Sequence, residues 1–226
     1  MPRGADVLLI DAESQDATVT LAREAGARVV VRPWAGFVAT RRFALELVTT
    51  AWTFMLDADE TLDRELAEAI AALAPAAPVD AYRVARMTYF CGRPIRHGAW
   101  GRESLLRLFR SERATLVAQP SAGGEAELHE RWVVPGDVAM LPGMLLHDSY
   151  PTMRSYREKF SRYTTIEARG AKGSAARVLR AVVLAVARGA WHVVGRAAWR
   201  DGWRGIFVTL ASAAYPVVVA WKAMRA

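Results

Sequence analysis

Apolar positions along the first ninety residues follow two alternating periods. Residues 7–11 (VLLID), 28–31 (RVVV) and 52–56 (WTFML) are short apolar runs that read as buried strands. Residues 16–25 and 41–49 carry the helical period instead. A third helix follows, with Leu62, Leu66, Ile70 and Leu73 as its apolar stripe and Thr61 or Asp63 as its cap. Strands alternating with helices of this length predict a parallel sheet covered on both faces. In such sheets ligands bind beyond the carboxyl ends of the strands, and both Asp11 and the Asp57/Asp59 pair fall there.

From Ala81 the runs become shorter and the turns closer: AYRVARMTYF, CGRPI, SLLRLFR, then the MLLH stretch ending at His147. The pattern predicts an α/β core continued by a mixed, more antiparallel half. From Ser155 onward it turns helical, with breaks expected at Gly170, Gly173, Gly189 and Gly202. Residues 206–221 are apolar except for Thr209 and Ser212. Pro216 interrupts that run, which is shorter than the ~20 residues of a spanning helix, so the segment is expected to lie on a membrane. The expected organisation is a catalytic domain over residues 1–150 and a basic, helical, membrane-associating region over 151–226.

Charge sharpens this division. The net charge of +7 is the sum of unlike parts: residues 1–150 hold 16 Lys and Arg against 20 Asp and Glu, a net of −4, whereas residues 151–226 hold 14 against 3, a net of +11. A basic segment interleaved with Trp and Val suits nucleic acid or an anionic membrane surface. The chain has no helix-turn-helix spacing, zinc ligands or aromatic RNA-binding strand, and its core is acidic, which argues against nucleic acid. A single cysteine, Cys91, permits no internal disulfide. No charged segment followed by an apolar stretch and a cleavage site opens the sequence, so the body is expected in a reducing cytoplasm.

The stretch WTFMLDADE delivers three carboxylates at the end of an apolar run. One reading is local, since aspartate is favoured where a helix starts. A second takes DADET as a phosphotransferase signature, with Asp57 as nucleophile and Asp59 as acid/base. That chemistry wants a downstream lysine and a later acidic pair, yet no lysine precedes Lys159. In the third, the pair holds a divalent cation that bridges the phosphates of a nucleotide sugar. Hard oxygen ligands suit magnesium or manganese. Alternate residues of a strand point the same way, so Asp57 and Asp59 would face one site across Ala58.

The blocks LIDAESQDATVTLAREAGARVVVRPWAGF, RFALELVTTAWTFMLDADETL, IRHGAW, LLRLFR and LHE, in that order, resemble family 2 glycosyltransferases of the lipopolysaccharide core type, similar to β-1,4-glucosyltransferases that extend the inner core. The resemblance covers nearly the whole chain. It implies a GT-A fold, a nucleotide-diphosphate-sugar donor, a divalent metal and inversion at the anomeric carbon. Carried over by position, it makes Asp11 a nucleotide contact, Asp57 a neighbour of the ribose or sugar, and Asp59 the main metal ligand. The Trp34, Gly36 and Phe37 block would support the donor pocket. The chain departs from the family's Asp-Ser-Gly-Ser-Thr-Asp block, with Glu13 for the glycine and Gln15 for the threonine, and Arg42 replaces an asparagine before Phe43. The family's first strand and helix, which bind the base, would precede VLLID, where only Met1 to Asp6 stand. The resemblance therefore implies a missing first βα unit, a gap in the parallel sheet and weakened donor binding.

An inverting transfer needs a general base to take the acceptor's proton. The candidates are Glu130 in LHE, favoured, and Glu103 before the SLLRLFR strand. His147 is a candidate metal ligand or a core residue, and Arg107 and Arg110 could answer phosphates of the donor or an anionic acceptor. His129 is expected beside Glu130, His97 near acceptor or donor, and His192 in a structural role. The expectation is a membrane-associated inverting glycosyltransferase acting on a lipid-linked glycan acceptor. It would sit peripherally on anionic lipid at the cytoplasmic face of the inner membrane. A degenerate, non-catalytic member of the same family is the alternative.

Overall fold

The computed structural model describes residues 5–74, 76–101, 103–118, 130–169 and 171–225, with only the backbone described at Ala118 and Glu130. Its first part is β1 (Leu8–Asp11), α1 (Thr18–Glu24), β2 (Arg28–Val31) and α2 (Phe37–Glu46). β1 and β2 pair in parallel, Leu8 opposite Arg28 through Asp11 opposite Val31. No strand among the described residues joins this ribbon to the larger sheet.

That larger sheet contains β3 (Trp52–Phe54), β4 (Glu60–Leu62), β5 (Ala81–Phe90), β6 (Arg93–Pro94), β7 (Glu103–Arg110) and β10 (Val138–Tyr150), in the order β3-β7-β5-β10-β4, with β6 paired to β5. β8 (Thr115–Ala118) and β9 (Glu130–Val133) form a separate antiparallel pair. The expectation that β3 extends a parallel sheet is corrected: it runs antiparallel to β7, with Trp52 opposite Arg110. Parallel pairing in the larger sheet is instead between β5 and β10. Periodicity identifies a strand but not its neighbour, because the partner β7 lies some fifty positions on.

α3 (Arg64–Ala71) contains Leu66 and Ile70 of the expected stripe, whereas Leu62 stands in β4 and Leu73 beyond the helix end. Of the two possible caps it uses Asp63, whose side chain accepts from the Leu66 amide at 2.8 Å. Leu66 is fully buried with Val84, Leu108, Leu141 and Leu145, and Leu62, Ile70 and Leu73 pack around them. Gly143, at φ +79°, lets β10 approach the first turn of α3; a Cβ there would strike the Leu66 amide and the Asp63 carboxylate. α2 starts at Phe37, four residues before the expected start.

The C-terminal part comprises α4 (Met153–Arg169), α5 (Ala175–Ala190) and α6 (Gly202–Arg225), with a π-helical turn at Trp191–Gly195 and a 3₁₀ turn at Ala198–Asp201 between the last two. Gly189 is no break: it lies inside α5 and is buried against Leu210 and Ala213 of α6. Gly170 lies outside the described residues. Pro216 does not interrupt α6, which runs for 24 residues. A proline loses one helical hydrogen bond, but α6 is held on both sides of it, by Val208 and Thr209 before and by Val219, Ala220 and Ala223 after. Phe90 of β5 forms one buried cluster with Ile95, Tyr156 of α4 and Val208 of α6. Its ring stacks on Phe207 at 5.5 Å and meets Tyr156 edge-on at 5.5 Å.

Candidate active site

Asp57, Ala58, Asp59 and Glu60 form a turn after β3, closed by the Glu60 amide donating to the Asp57 carbonyl at 3.0 Å. Strand alternation is therefore not what arranges the carboxylates. The turn points each one at a different partner.

Asp57 is held from two sides, Oδ1 by Arg41 Nη2 and Oδ2 by Arg107 Nη2, each at 2.7 Å. Burial by itself would raise the Asp57 carboxyl, but the two guanidinium groups outweigh it and hold it below the usual carboxylate range. Arg41 also sits over the Phe37 ring at 5.7 Å, and Phe37 meets the exposed Trp34 edge-on at 4.9 Å. The Trp34–Phe37 block and the Asp57 turn thus make one continuous surface, with Arg41 between them.

Glu60 turns inward, and its side chain has no solvent exposure. Oε1 accepts from Arg107 at 2.7 Å and from Arg86 at 3.4 Å, while Oε2 accepts from the Asp57 amide at 3.1 Å. Arg86 in turn donates to Glu103 Oε2 from Nη2 at 2.7 Å and from Nε at 3.0 Å. Asp57, Arg107, Glu60, Arg86 and Glu103 are therefore links of one alternating chain of charge. Arg107, expected to reach donor phosphates, is nearly buried, and its two described bonds both go to carboxylates. Those carboxylates outweigh its desolvation and raise its pKa further above the normal arginine value.

Asp59 faces the opposite way, toward β10 and α4. His147 Nε2 lies 3.4 Å from Asp59 Oδ2 and Lys159 Nζ 3.8 Å from the same oxygen. The His147 contact, with the Lys159 charge, holds the Asp59 carboxyl below its ordinary range despite partial burial. His147 is placed by pairing of β10 with β4, opposite Glu60, and its Nδ1 lies 3.4 Å from Thr88 Oγ1. One carboxylate oxygen and one imidazole nitrogen converge here. Among the described residues no group of three or more His, Cys, Asp or Glu side chains is disposed to hold a metal. An ion held by this pair would displace Lys159 Nζ from Asp59 Oδ2 and would take its remaining ligands from a bound diphosphate and water.

Asp11, at the end of β1, accepts from the Ser14 amide at 2.9 Å and from the Ser14 hydroxyl at 2.6 Å, and these bonds lower its pKa. The turn they close carries Glu13 at φ +63°, a backbone region that favours glycine. The Glu130 side chain and His129 lie outside the described residues. His97 is bound to the tail: its Nδ1 lies 2.9 Å from Asp201 Oδ1, and Asp201 Oδ2 accepts from the Arg96 and His97 amides. His192 is in the π-helical turn, its Nδ1 buried without a partner among the described residues. Arg110 packs over Trp52 at 4.7 Å and donates to the Ala77 carbonyl.

Arg41, Arg86 and Lys159 are the residues that periodicity and motif spacing missed, and Glu60 shows there only as a third carboxylate. The adjacency of Glu60 to the aspartate pair was the available signal; the arginines are recruited from distant strands and helices and leave no local mark.

Residues 3–129 match the profile of Glycosyl transferase family 2. The chain belongs to that family. It therefore has the GT-A fold, here as a mixed α/β sheet followed by apolar helices. The lipopolysaccharide core biosynthesis glycosyltransferase LpsC of Rhizobium meliloti (strain 1021) is 30% identical over 175 residues, covering 74% of this chain and 63% of LpsC. Uncharacterized glycosyltransferases of Rickettsia conorii, RC0292, and Rickettsia bellii are 43% identical over 65 residues, 29% of this chain and 23% and 22% of their own lengths. In each case the match spans less than two-thirds of the relative.

Proposed function

We propose that this protein is an inverting glycosyltransferase that moves a sugar from a nucleotide-diphosphate donor to a lipopolysaccharide-core or other lipid-linked glycan at the cytoplasmic face of the inner membrane. The observation that carries this reading is the turn 57–60, which gives Asp57 to the Arg41/Phe37/Trp34 surface and Asp59 to His147. Asp11, at the end of the neighbouring β1, is the nucleotide contact.

Asp59 and His147 would hold a magnesium or manganese ion, which supplies neutralising charge for the departing diphosphate. Asp57, kept ionised and immobile by Arg41 and Arg107, accepts from ribose or sugar hydroxyls and fixes the donor's orientation. Arg107 acts through Asp57, as a positioning residue. The general base is Glu130, with Glu103 as the alternative. Glu103 Oε2 is already occupied by two bonds from Arg86, and this pairing favours Glu130.

Membrane association is supported by two helical stretches long and apolar enough to cross a bilayer, Ala175–Gly195 and Ala198–Arg225. The packing of α6 favours a surface mode. α6 shares a core with Phe90 and Tyr156 through Val208, and with Ala168 of the charged α4 through Val219 and Ala223, so its inner face is committed to protein along its length. Leu179, Val183, Val186, Trp191, Leu210 and Trp221 are exposed and available to lipid.

The test is release of nucleoside diphosphate from a panel of nucleotide sugars, with manganese and lipid-linked acceptors. The reading expects release from at least one donor, stimulated by acceptor and abolished by Asp59→Ala. Release that persists in Asp59→Ala contradicts it.

A further inference from the structure

Between α5 and α6 lies an open groove of about 350 Å³. Its walls are mainly apolar, from Ala181 and Ala185 on one helix to Ala213, Pro216 and Ala220 on the other. Its rim is cationic: Arg177, Arg180 and Arg188 all border it. These positions recur at helical spacing, so they line one side of α5.

The charges on this rim have little protein to answer them. The one acid among the described lining residues is Glu167, whose carboxylate accepts from the Tyr215 hydroxyl at 2.8 Å. Arg177 donates to the Lys172 carbonyl, and Arg180 and Arg188 form no hydrogen bond or ion pair with the described residues. Arg177 and Arg180 are three residues apart, about 4.5 Å along the helix axis, close enough to grip one phosphate from two directions. Leu179, Val183 and Val186 are exposed too, but on the far side of α5 from Arg177 and Arg188.

We infer that the groove holds one anionic membrane phospholipid, with its phosphate between Arg177 and Arg180 and an acyl chain along the alanine-lined floor. The inference rests on the membrane-surface reading above and gives it a specific site. A free phosphate would leave the apolar floor unfilled. An acidic peptide or nucleic acid would likewise leave that floor unfilled, whereas a phospholipid answers both the cations and the apolar floor. Bound there, the lipid locks α5 against α6 and fixes the height of the Asp59 turn above the bilayer.

The test uses the full chain and monomeric dihexanoylphosphatidic acid below its micelle concentration, titrated by calorimetry beside dihexanoylphosphatidylcholine and inorganic phosphate. The inference expects saturable one-to-one binding of the phosphatidic acid, much weaker binding of the choline lipid and of phosphate, and a loss of about tenfold or more in Arg177→Ala/Arg180→Ala. Ala181→Trp, which fills the floor and leaves every arginine in place, should also abolish binding. Equal affinity for inorganic phosphate, equal affinity for the choline lipid, or an unaffected arginine variant overturns it. A chain that sediments with anionic vesicles yet binds no monomeric lipid keeps the surface reading and refutes the groove.

Discussion

Arg107 Nη2 lies 2.7 Å from Asp57 Oδ2, joining a buried guanidinium to a partly exposed carboxylate. The same nitrogen is 2.7 Å from the buried Glu60, so the strand β7 holds the 57–60 turn by one guanidinium. Burial of the Arg107 charge is costly, and the two carboxylates at this one nitrogen offset that cost.

Removing that balance should be expensive. Glu60→Gln leaves Arg107 and Arg86 short of one buried negative charge, and we expect a loss of about 3 kcal/mol in unfolding free energy, the lower end for breaking a buried pair. Chemical denaturation measures it. A change within about 0.5 kcal/mol, the range of an ordinary surface substitution, would mean that the buried chain of charges is not structural.

The two candidate bases separate kinetically. Glu130→Gln should lower kcat by about a hundredfold or more while donor affinity survives, because the substitution keeps shape and removes proton acceptance. Glu103→Gln should act more weakly, through Arg86. If steady-state kinetics show the larger kcat loss in Glu103→Gln, the assignments are reversed.

Glu13 stands at φ +63° in the turn closed by Asp11 and Ser14. A side chain in the left-handed region carries about 1–2 kcal/mol of strain, against a glycine entropy penalty of roughly 0.5–1 kcal/mol, so Glu13→Gly should stabilise the protein by up to about 1 kcal/mol. A lowered thermal midpoint for Glu13→Gly would show that the glutamate side chain contributes more than its backbone strain removes.

Bilayer attachment should depend on charge and apolar contact together. Co-sedimentation with anionic vesicles should fall between about 0.1 M and 1 M salt, as the screening length shrinks from about 10 Å to about 3 Å, and should be weak on neutral vesicles. Binding indifferent to both salt and lipid charge would point to insertion rather than surface attachment.

Local features were legible in the sequence because local forces set them. The α3 stripe of Leu66 and Ile70 and the cap at Asp63 follow from helical spacing and one side-chain bond three residues long. The Asp57/Asp59 motif was equally visible, but its geometry was not: Arg41 and Arg107 reach Asp57 from 16 and 50 positions away. Nor could composition show that β3 pairs with β7, or that packing on α4 and the Phe90 cluster would carry α6 straight through Pro216. In each case a partner distant in sequence decided the outcome.

In the proposed function a metal-bound diphosphate sits at Asp59 with His147. This placement is tested most directly by calorimetry of nucleoside diphosphate binding to the native chain, Asp59→Ala and His147→Ala, each with manganese and with chelator. The expected result is manganese-dependent binding to the native chain that chelator removes, no detectable binding to Asp59→Ala, and weakening of about tenfold to His147→Ala, all with native circular dichroism. Manganese-dependent affinity that is unchanged in Asp59→Ala would contradict it.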